Sequence, residues 1–243
     1  MRTKGQRGFT LIELLVVIAV LSLLVSILMP SLQRAQELAK AVVCMSSLRN
    51  VGMAETLYAA DNDGWMGYSF HYTNAADNWL KFLTGGKDPY WVTPVYVENT
   101  ETFGCPALSP TGKEGGKYGM NTYAVSDAEM PGVRVTWTDG VSSCGLQFVN
   151  PGEGLKSRTA FMLADTCTPA SRRQGGNFSF YKFAGGGIGV GSGRQAMHLR
   201  HLDRVNVLFW DGHLEAVDED HLLDYGCLAY VRGDWSEVNP YVP

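Results

Sequence analysis

A chain of 243 residues with a formal net charge of −4 is not basic enough to bind nucleic acid through its backbone, nor acidic enough to be a solvated, disordered tail. Its 28 glycines and frequent Trp and Tyr suit a loop-rich β domain with tight turns. In chain order, the first feature is a short basic leader carrying Arg2, Lys4 and Arg7, followed by an apolar run over 9–29 in which Glu13 is the only ionisable side chain. About 20 helical residues at ~1.5 Å each span the roughly 30 Å hydrocarbon core of a bilayer, so this run is long enough to cross one. A secretory signal peptide would have a shorter apolar core and a small-residue cleavage site, and Leu28-Met29-Pro30-Ser31 is a poor one. A plain signal anchor explains the length and the leader charge. It leaves Glu13 unexplained, because a charge within a spanning helix costs roughly 2.5–3.5 kcal/mol. The basic leader predicts a cytoplasmic N-terminus and places everything beyond Pro30 across the membrane.

From 31 to 60 the helical pattern continues. Leu32, Ala35, Leu38, Val42, Met45 and Leu48 form an apolar stripe opposite Gln33, Arg34, Gln36, Glu37, Lys40 and Arg49. Pro30 removes one helix hydrogen bond and predicts a kink at the junction. Asp61-Asn62-Asp63-Gly64 predicts the helix end through turn chemistry; Asp61 and Asp63 also begin like a calcium loop, but the later ligands are missing. A short helix is predicted over 78–83, and strands over 90–97, 118–125, 133–138, 146–149 and 159–163. The glycine-rich stretch 184–193 lacks the Gly-Lys-Ser/Thr of a phosphate loop and reads as a surface loop. Val205 to Trp210 and His213 to Val217 flank Asp211-Gly212, a strong hairpin signal.

Five cysteines, Cys44, Cys105, Cys144, Cys167 and Cys227, lie in a segment predicted to be exported, where disulfides are permitted; one or two structural disulfides with a buried thiol are expected. No C-x-x-C occurs and no His/Cys spacing suggests zinc, so neither a cofactor nor a metal is expected. His201 and Asp211 could in principle form an acid–base pair or hold a metal. Nine strand residues would separate them by about 30 Å at ~3.3 Å each, so the plainer expectation is that Asp211-Gly212 makes the turn while His201 bonds backbone at the strand's start. No catalytic constellation stands out, and the chain is not expected to be an enzyme.

Gly8-Phe9-Thr10-Leu11-Ile12-Glu13-Leu14-Leu15-Val16-Val17-Ile18-Ala19 resembles the type III signal of type IV pilins and type II secretion pseudopilins. The resemblance implies cleavage by prepilin peptidase between Gly8 and Phe9, N-methylation of Phe9, and a Glu13 carboxylate that neutralises the new amino group of a neighbouring subunit during assembly. A second resemblance covers His201-x9-Asp211-Gly212 together with Cys44-x-x-x-Leu48-Arg49, Tyr58-x-x-Asp61-Asn62-x-Gly64, Cys105-Pro106, Tyr118-Gly119-x-Asn121 and Leu163-Ala164-Asp165. These match the processing-associated C-terminal pattern of a pilin-like family abundant in planctomycete-type bacteria; Ser47 and Trp65-Met66 depart from it.

The fold implied is α+β and pilin-like, a long N-terminal helix, half transmembrane and half amphipathic, packed against a β-rich antiparallel-sheet outer domain. The expected organisation is a leader at 1–8, a transmembrane segment at 9–30, an amphipathic stem at 31–62 and an exported domain at 63–243, which includes the region 201–212. The implied function is that of a pseudopilin or minor pilin in a type II secretion or type IV pilus-like filament. Implied partners are the bacterial inner membrane, prepilin peptidase, other pilins, and indirectly an assembly ATPase and a platform protein. The domain would be periplasmic or extracellular. The competing expectation is a membrane-displayed binding module or enzyme, with Trp79, Trp91, Trp137 and Trp235 as a glycan or protein platform.

Overall fold

The computed structural model describes residues 9–70, 83–85, 87–88, 91–92, 94–98, 103–108, 119–123, 134–138, 145–149, 161–168, 172–174, 177–179, 196–225, 227 and 230–238. The fold is α+β, as expected: one long helix, α1 (Leu11–Asp61), is followed by strands in mainly antiparallel sheets. The chain divides into two units after Ala39.

In the first unit, α1 is built from Leu, Ile, Val and Ala, and its large apolar side chains are exposed from Leu11 onward. It is long and apolar enough to cross a membrane. The helix runs unbroken through Pro30. Ser22, Ser26 and Ser31 turn their hydroxyls onto the carbonyls of Ile18, Leu23 and Leu28, which satisfies these side chains without solvent.

The second unit begins within α1. Its buried residues there are Cys44, Leu48, Val51, Ala54, Glu55, Tyr58 and Ala59. This corrects the expected stripe: Leu48 is buried, Met45 is half-buried, and Val42 is 68% exposed. The true stripe follows Cys44-Leu48-Val51 and takes in small residues that a search for large aliphatics passes over. The helix ends as its turn residues predict, with Asp63 at φ 52° and Gly64 at φ 84°. Gly64 N–H reaches back to Ala59 O at 2.8 Å, a Schellman closure that satisfies an orphan carbonyl.

The strands are β1 (Met66–Phe70), β2 (Lys87–Asp88), β3 (Trp91–Val92), β4 (Gly119–Tyr123), β5 (Arg134–Thr138), β6 (Gly145–Val149), β7 (Phe161–Ala164), β8 (Thr166–Thr168), β9 (Arg173–Gln174), β10 (Asn177–Ser179), β11 (Ala196–His198), β12 (Arg204–Phe209), β13 (Leu214–Asp218), β14 (Tyr230–Val231) and β15 (Glu237–Val238), with a short helix α2 (Glu219–Asp224). Of the strand predicted over 90–97, the described residues show β3 and an isolated bridge from Thr84 to Val95. The helix predicted over 78–83 lies outside the described residues except for Leu83, as does the glycine-rich stretch 184–193.

Three sheets carry the fold: β1-β6-β5, β10-β4-β7-β12-β13 and β15-β14-β11-β8-β9. Parallel pairings β10–β4 and β11–β14 interrupt the antiparallel pattern. Strand β12 is the hinge of the packing, buried at every residue but Arg204. Leu208 and the following Trp210 join Leu48, Val51 and Tyr58 of α1, with Leu83, Phe103 and Leu163, in one core. Val205, Val207 and Phe209 face the opposite core with Met197, Leu199, Val217, Leu222 and Tyr230. A continuous apolar strand is what burial on both faces demands. The middle sheet therefore lies between the upper part of α1 and the β11–β14 sheet.

Of the crossings between the two five-stranded sheets, two position the site described below. β7 belongs to one and β8 to the other, and Asp165 is the single residue between them. Its N–H bonds Asn206 O at 3.1 Å, and its carbonyl accepts from His198 N–H at 2.9 Å, so one residue is stitched into both sheets. The second crossing, from β11 to β12, runs through a tight turn in which His201 and Arg204 exchange backbone hydrogen bonds of 3.0 and 3.2 Å. Leu202 and Asp203 at its centre have φ of 53° and 60°, a type I′ geometry that Asn-Gly would adopt with less strain.

Candidate functional sites

At the N-terminus, Thr10 and Glu13 form a reciprocal cap. Glu13 Oε2 accepts from Thr10 N–H at 2.8 Å and from Thr10 Oγ1 at 2.7 Å, while Glu13 N–H bonds Thr10 Oγ1 at 3.3 Å. This is the Thr-x-x-Glu capping box, which holds orphan donors of the first turn. Glu13 therefore has an intramolecular task in the single chain. Phe9 is 74% exposed. Arg2, Lys4, Arg7 and Gly8 lie outside the described residues.

At the far end of β12, the hairpin forms, with a different turn from the one expected. Gly212 alone has positive φ, at 85°. Gly212 N–H bonds Phe209 O at 3.0 Å, and Phe209 N–H bonds His213 O at 3.0 Å. The loop is three residues long with glycine at its left-handed last position, which needs no positive φ at Asp211. Asp211 is exposed at the tip and accepts from both the N–H and the ring of His213. That pairing holds its carboxyl below the usual range against the upward push of partial burial.

His201 and Asp211 thus sit at opposite ends of β12 and do not form a pair. The expectation that His201 bonds backbone holds for its main chain only. Its imidazole turns inward, into a cluster the sequence did not reveal. His201 Nε2 lies 3.3 Å from Asp165 Oδ2 and 3.2 Å from Cys105 Sγ. Cys44 Sγ donates to Asp165 Oδ1 at 3.2 Å, and Asn206 N–H donates to Asp165 Oδ2 at 3.2 Å. The four donor atoms of Cys44, Cys105, Asp165 and His201 lie within 4.8 Å of one another. All four residues are at most 3% exposed.

Burial alone would push the Asp165 carboxyl up, but the Arg200 guanidinium and the His201 hydrogen bond hold it below its ordinary value. Burial would lower His201, yet its bonds to Asp165 and Cys105 raise it. For Cys105, burial raises the thiol, while hydrogen bonds from Cys44 and His201 outweigh that and lower it. Arg200 donates to Thr166 O through Nη2.

The disulfides expected among the cysteines are absent from the described residues: Cys44, Cys105, Cys167 and Cys227 are thiols. Cys44 Sγ is directed at Asp165 and Cys105 Sγ at His201. Cys144 lies outside the described residues. A Cys–His–Asp sequence also invites a nucleophile reading. A triad needs the base held through one ring nitrogen and the nucleophile bonded to the other. Here Cys105 and Asp165 both meet Nε2, and Nδ1 has no partner among the described residues.

Asp61 accepts from the Tyr96 hydroxyl at 2.8 Å, and Asp63 shapes the helix end; neither faces other carboxylates in a calcium-like shell among the described residues. Of the proposed aromatic platform, Trp235 is half-buried against His198, with ring centroids 4.3 Å apart, and lies under Arg172. Trp79 and the side chains of Trp91 and Trp137 lie outside the described residues.

Comparison with known proteins finds the pattern described as a prokaryotic N-terminal methylation motif at residues 3–29. Over 62 residues the chain is 36% identical to a type IV wide pilus major component of Thermus thermophilus, covering 26% of this chain and 47% of that protein. The chain thus spans about half the length of the curated relative it matches. No solved structure matches. The motif and the apolar helix together fit a membrane-anchored protein.

Proposed function

We propose that this chain is a structural subunit of a pilin-like filament, a pseudopilin or minor pilin whose work is assembly rather than catalysis. The observation that carries the reading is the methylation motif at residues 3–29, which runs from the basic leader through the cleavage point into an apolar helix with one carboxylate. Prepilin peptidase cuts after Gly8 and Phe9 is methylated. The chain crosses the bacterial inner membrane once, with its N-terminus cytoplasmic and its β domain outside. Freed by cleavage, the amino group of Phe9 is a cation in an apolar setting. Glu13 of a neighbouring copy can neutralise it, which makes both charges tolerable only in the assembly. The filament reading extends to a type II secretion system, with a cytoplasmic ATPase and a platform protein driving assembly. The large outer domain suits a low-copy or tip position.

Intact mass of the protein from its native membrane tests the processing. Loss of residues 1–8 with about 14 Da added at Phe9 is expected; an uncut leader overturns the reading. Assembly is tested with Glu13→Gln, which can still reach back to the Thr10 N–H as a capping box does but carries no charge. We predict normal processing and more than tenfold loss from filaments, since leaving one member of a desolvated pair alone costs about 3–5 kcal/mol. Filament entry by Glu13→Gln but not by Glu13→Ala would assign Glu13 to the helix cap alone.

A further inference from the structure

We propose that Cys44, Cys105, Asp165 and His201 form a structural zinc-type metal site, which clamps the stem helix to the point where the chain crosses between its two large sheets. The donor set is two sulfurs, one imidazole nitrogen and one carboxylate oxygen, all from residue types that bind Zn²⁺. Geometry supports this more strongly than composition does. Tetrahedral coordination at about 2.0–2.3 Å places neighbouring ligand atoms roughly 3.3–3.8 Å apart. Cys105 Sγ lies 3.2 Å from His201 Nε2 and His201 Nε2 lies 3.3 Å from Asp165 Oδ2, while Cys44 Sγ lies 3.2 Å from the other carboxylate oxygen, Oδ1; one ligand atom from each residue lies within 4.8 Å of the rest. The wider pairs, up to 4.8 Å, would draw in by up to about 1 Å to reach that spacing around one ion.

The four residues come from distant parts of the chain: α1, the segment 103–108, the break between β7 and β8, and the turn before β12. Partners 121 and 96 positions apart converge on one buried point. A ligand that joins them closes long loops, which is where a crosslink constrains the unfolded chain most. Charge is consistent too. Two thiolates and one carboxylate exceed a divalent cation by one negative charge, and the half-buried Arg200 acts on both Asp165 and Cys105. With four protein ligands and full burial the site has no position for substrate, as structural rather than catalytic zinc requires. The inference is independent of the filament reading, because it concerns only the stability of the second unit.

Full-length protein purified in detergent without chelator provides the test, with metal content read by inductively coupled plasma mass spectrometry. About one zinc per chain is expected, and its removal by a chelator should lower the melting temperature. Cys105→Ser and His201→Asn should each reduce bound metal at least about tenfold. Cys227→Ser, a buried thiol outside the cluster, should retain it. Because a cluster variant can fail by misfolding, Co²⁺ is also added to the metal-stripped wild type; thiolate-to-cobalt absorption is expected, and its absence counts against the site. A wild-type protein without metal whose Cys44 and Cys105 are joined in a disulfide, about 2 Da lighter, overturns the proposal, as does a metal-free protein with both thiols alkylatable.

Discussion

Glu55 is fully buried on α1, and neither of its carboxylate oxygens has a hydrogen-bond partner among the described residues. Burial raises its pKa well above the carboxylate range, so the folded chain carries it neutral; Tyr58, one turn on, is pushed up to about 12, by burial first and by Glu55 second. Because the folded pKa lies above the unfolded one, the folded state keeps a proton that the unfolded state has lost. Stability therefore falls as pH rises above the ordinary Glu value, and the loss stops growing only above the folded pKa. Glu55→Gln removes this slope. We predict that it changes stability little near about pH 4 and raises it by about 1–3 kcal/mol near about pH 8, as read by chemical denaturation at the two pH values. Equal effects at both would mean that Glu55 is ionised in the fold. His201 poses a different residue-scale problem. It precedes a turn that puts Leu202 at φ 53°, at a cost of roughly 1–2 kcal/mol for a residue with a side chain. A strained residue next to the buried imidazole is consistent with a constrained local geometry.

At the scale of elements, the contact between α1 and β12 depends on Gly52. A Cβ built there would lie 2.5 Å from Leu208 Cδ2, and Leu208 is 2% exposed in a packed core. Gly52→Ala gains helix propensity of about 1 kcal/mol but forces Leu208 out of place, an overpacking cost of about 1–3 kcal/mol. We predict net destabilisation of up to about 2 kcal/mol in denaturant unfolding, and a smaller effect of Gly52→Ala when it is made in a Leu208→Ala background. The elements also show what could be read in advance. Helix α1 was legible in length, apolar run and end, since a run of aliphatics and an Asp-Asn-Asp-Gly turn act locally. Its buried face was not, because Cys44, Ala54 and Ala59 are small and the large aliphatics that draw the eye, such as Val42, point away. Hairpin β12–β13 was legible from Asp211-Gly212, though the turn is longer by one residue than the dipeptide suggests. The strands β1, β2, β8, β9, β10, β11, β14 and β15 carry no signal legible in the sequence; all but the five-residue β1 have only two or three residues, too short to show a period.

Across the whole molecule, the cluster of Cys44, Cys105, Asp165 and His201 illustrates where sequence reading stops. Each residue falls within one of the short matches that carry the second family resemblance, yet nothing in their spacing joins them. Only the tertiary arrangement, with the chain crossing between sheets at Asp165 and again after His201, brings them together. The same arrangement predicts where the molecule is hardest to open. β12 pairs with both β7 and β13 and is buried on both faces. Amide hydrogen exchange should be slower in Val205 to Phe209 than at the edge strand β15, which frays locally; comparable rates at both would mean that they exchange only through one shared opening. The strand that leaves one sheet at Ala164 and enters the other at Thr166 has a mechanical consequence. In the filament proposed above, tension would run along the helix, and a two-layer domain could shed load by letting its layers slip. With Asp165 bonded into both layers through its main chain, slip would break backbone hydrogen bonds on both sides of one residue at once. Tension reaching this domain meets a rivet, and its two sheets should fail together rather than in sequence.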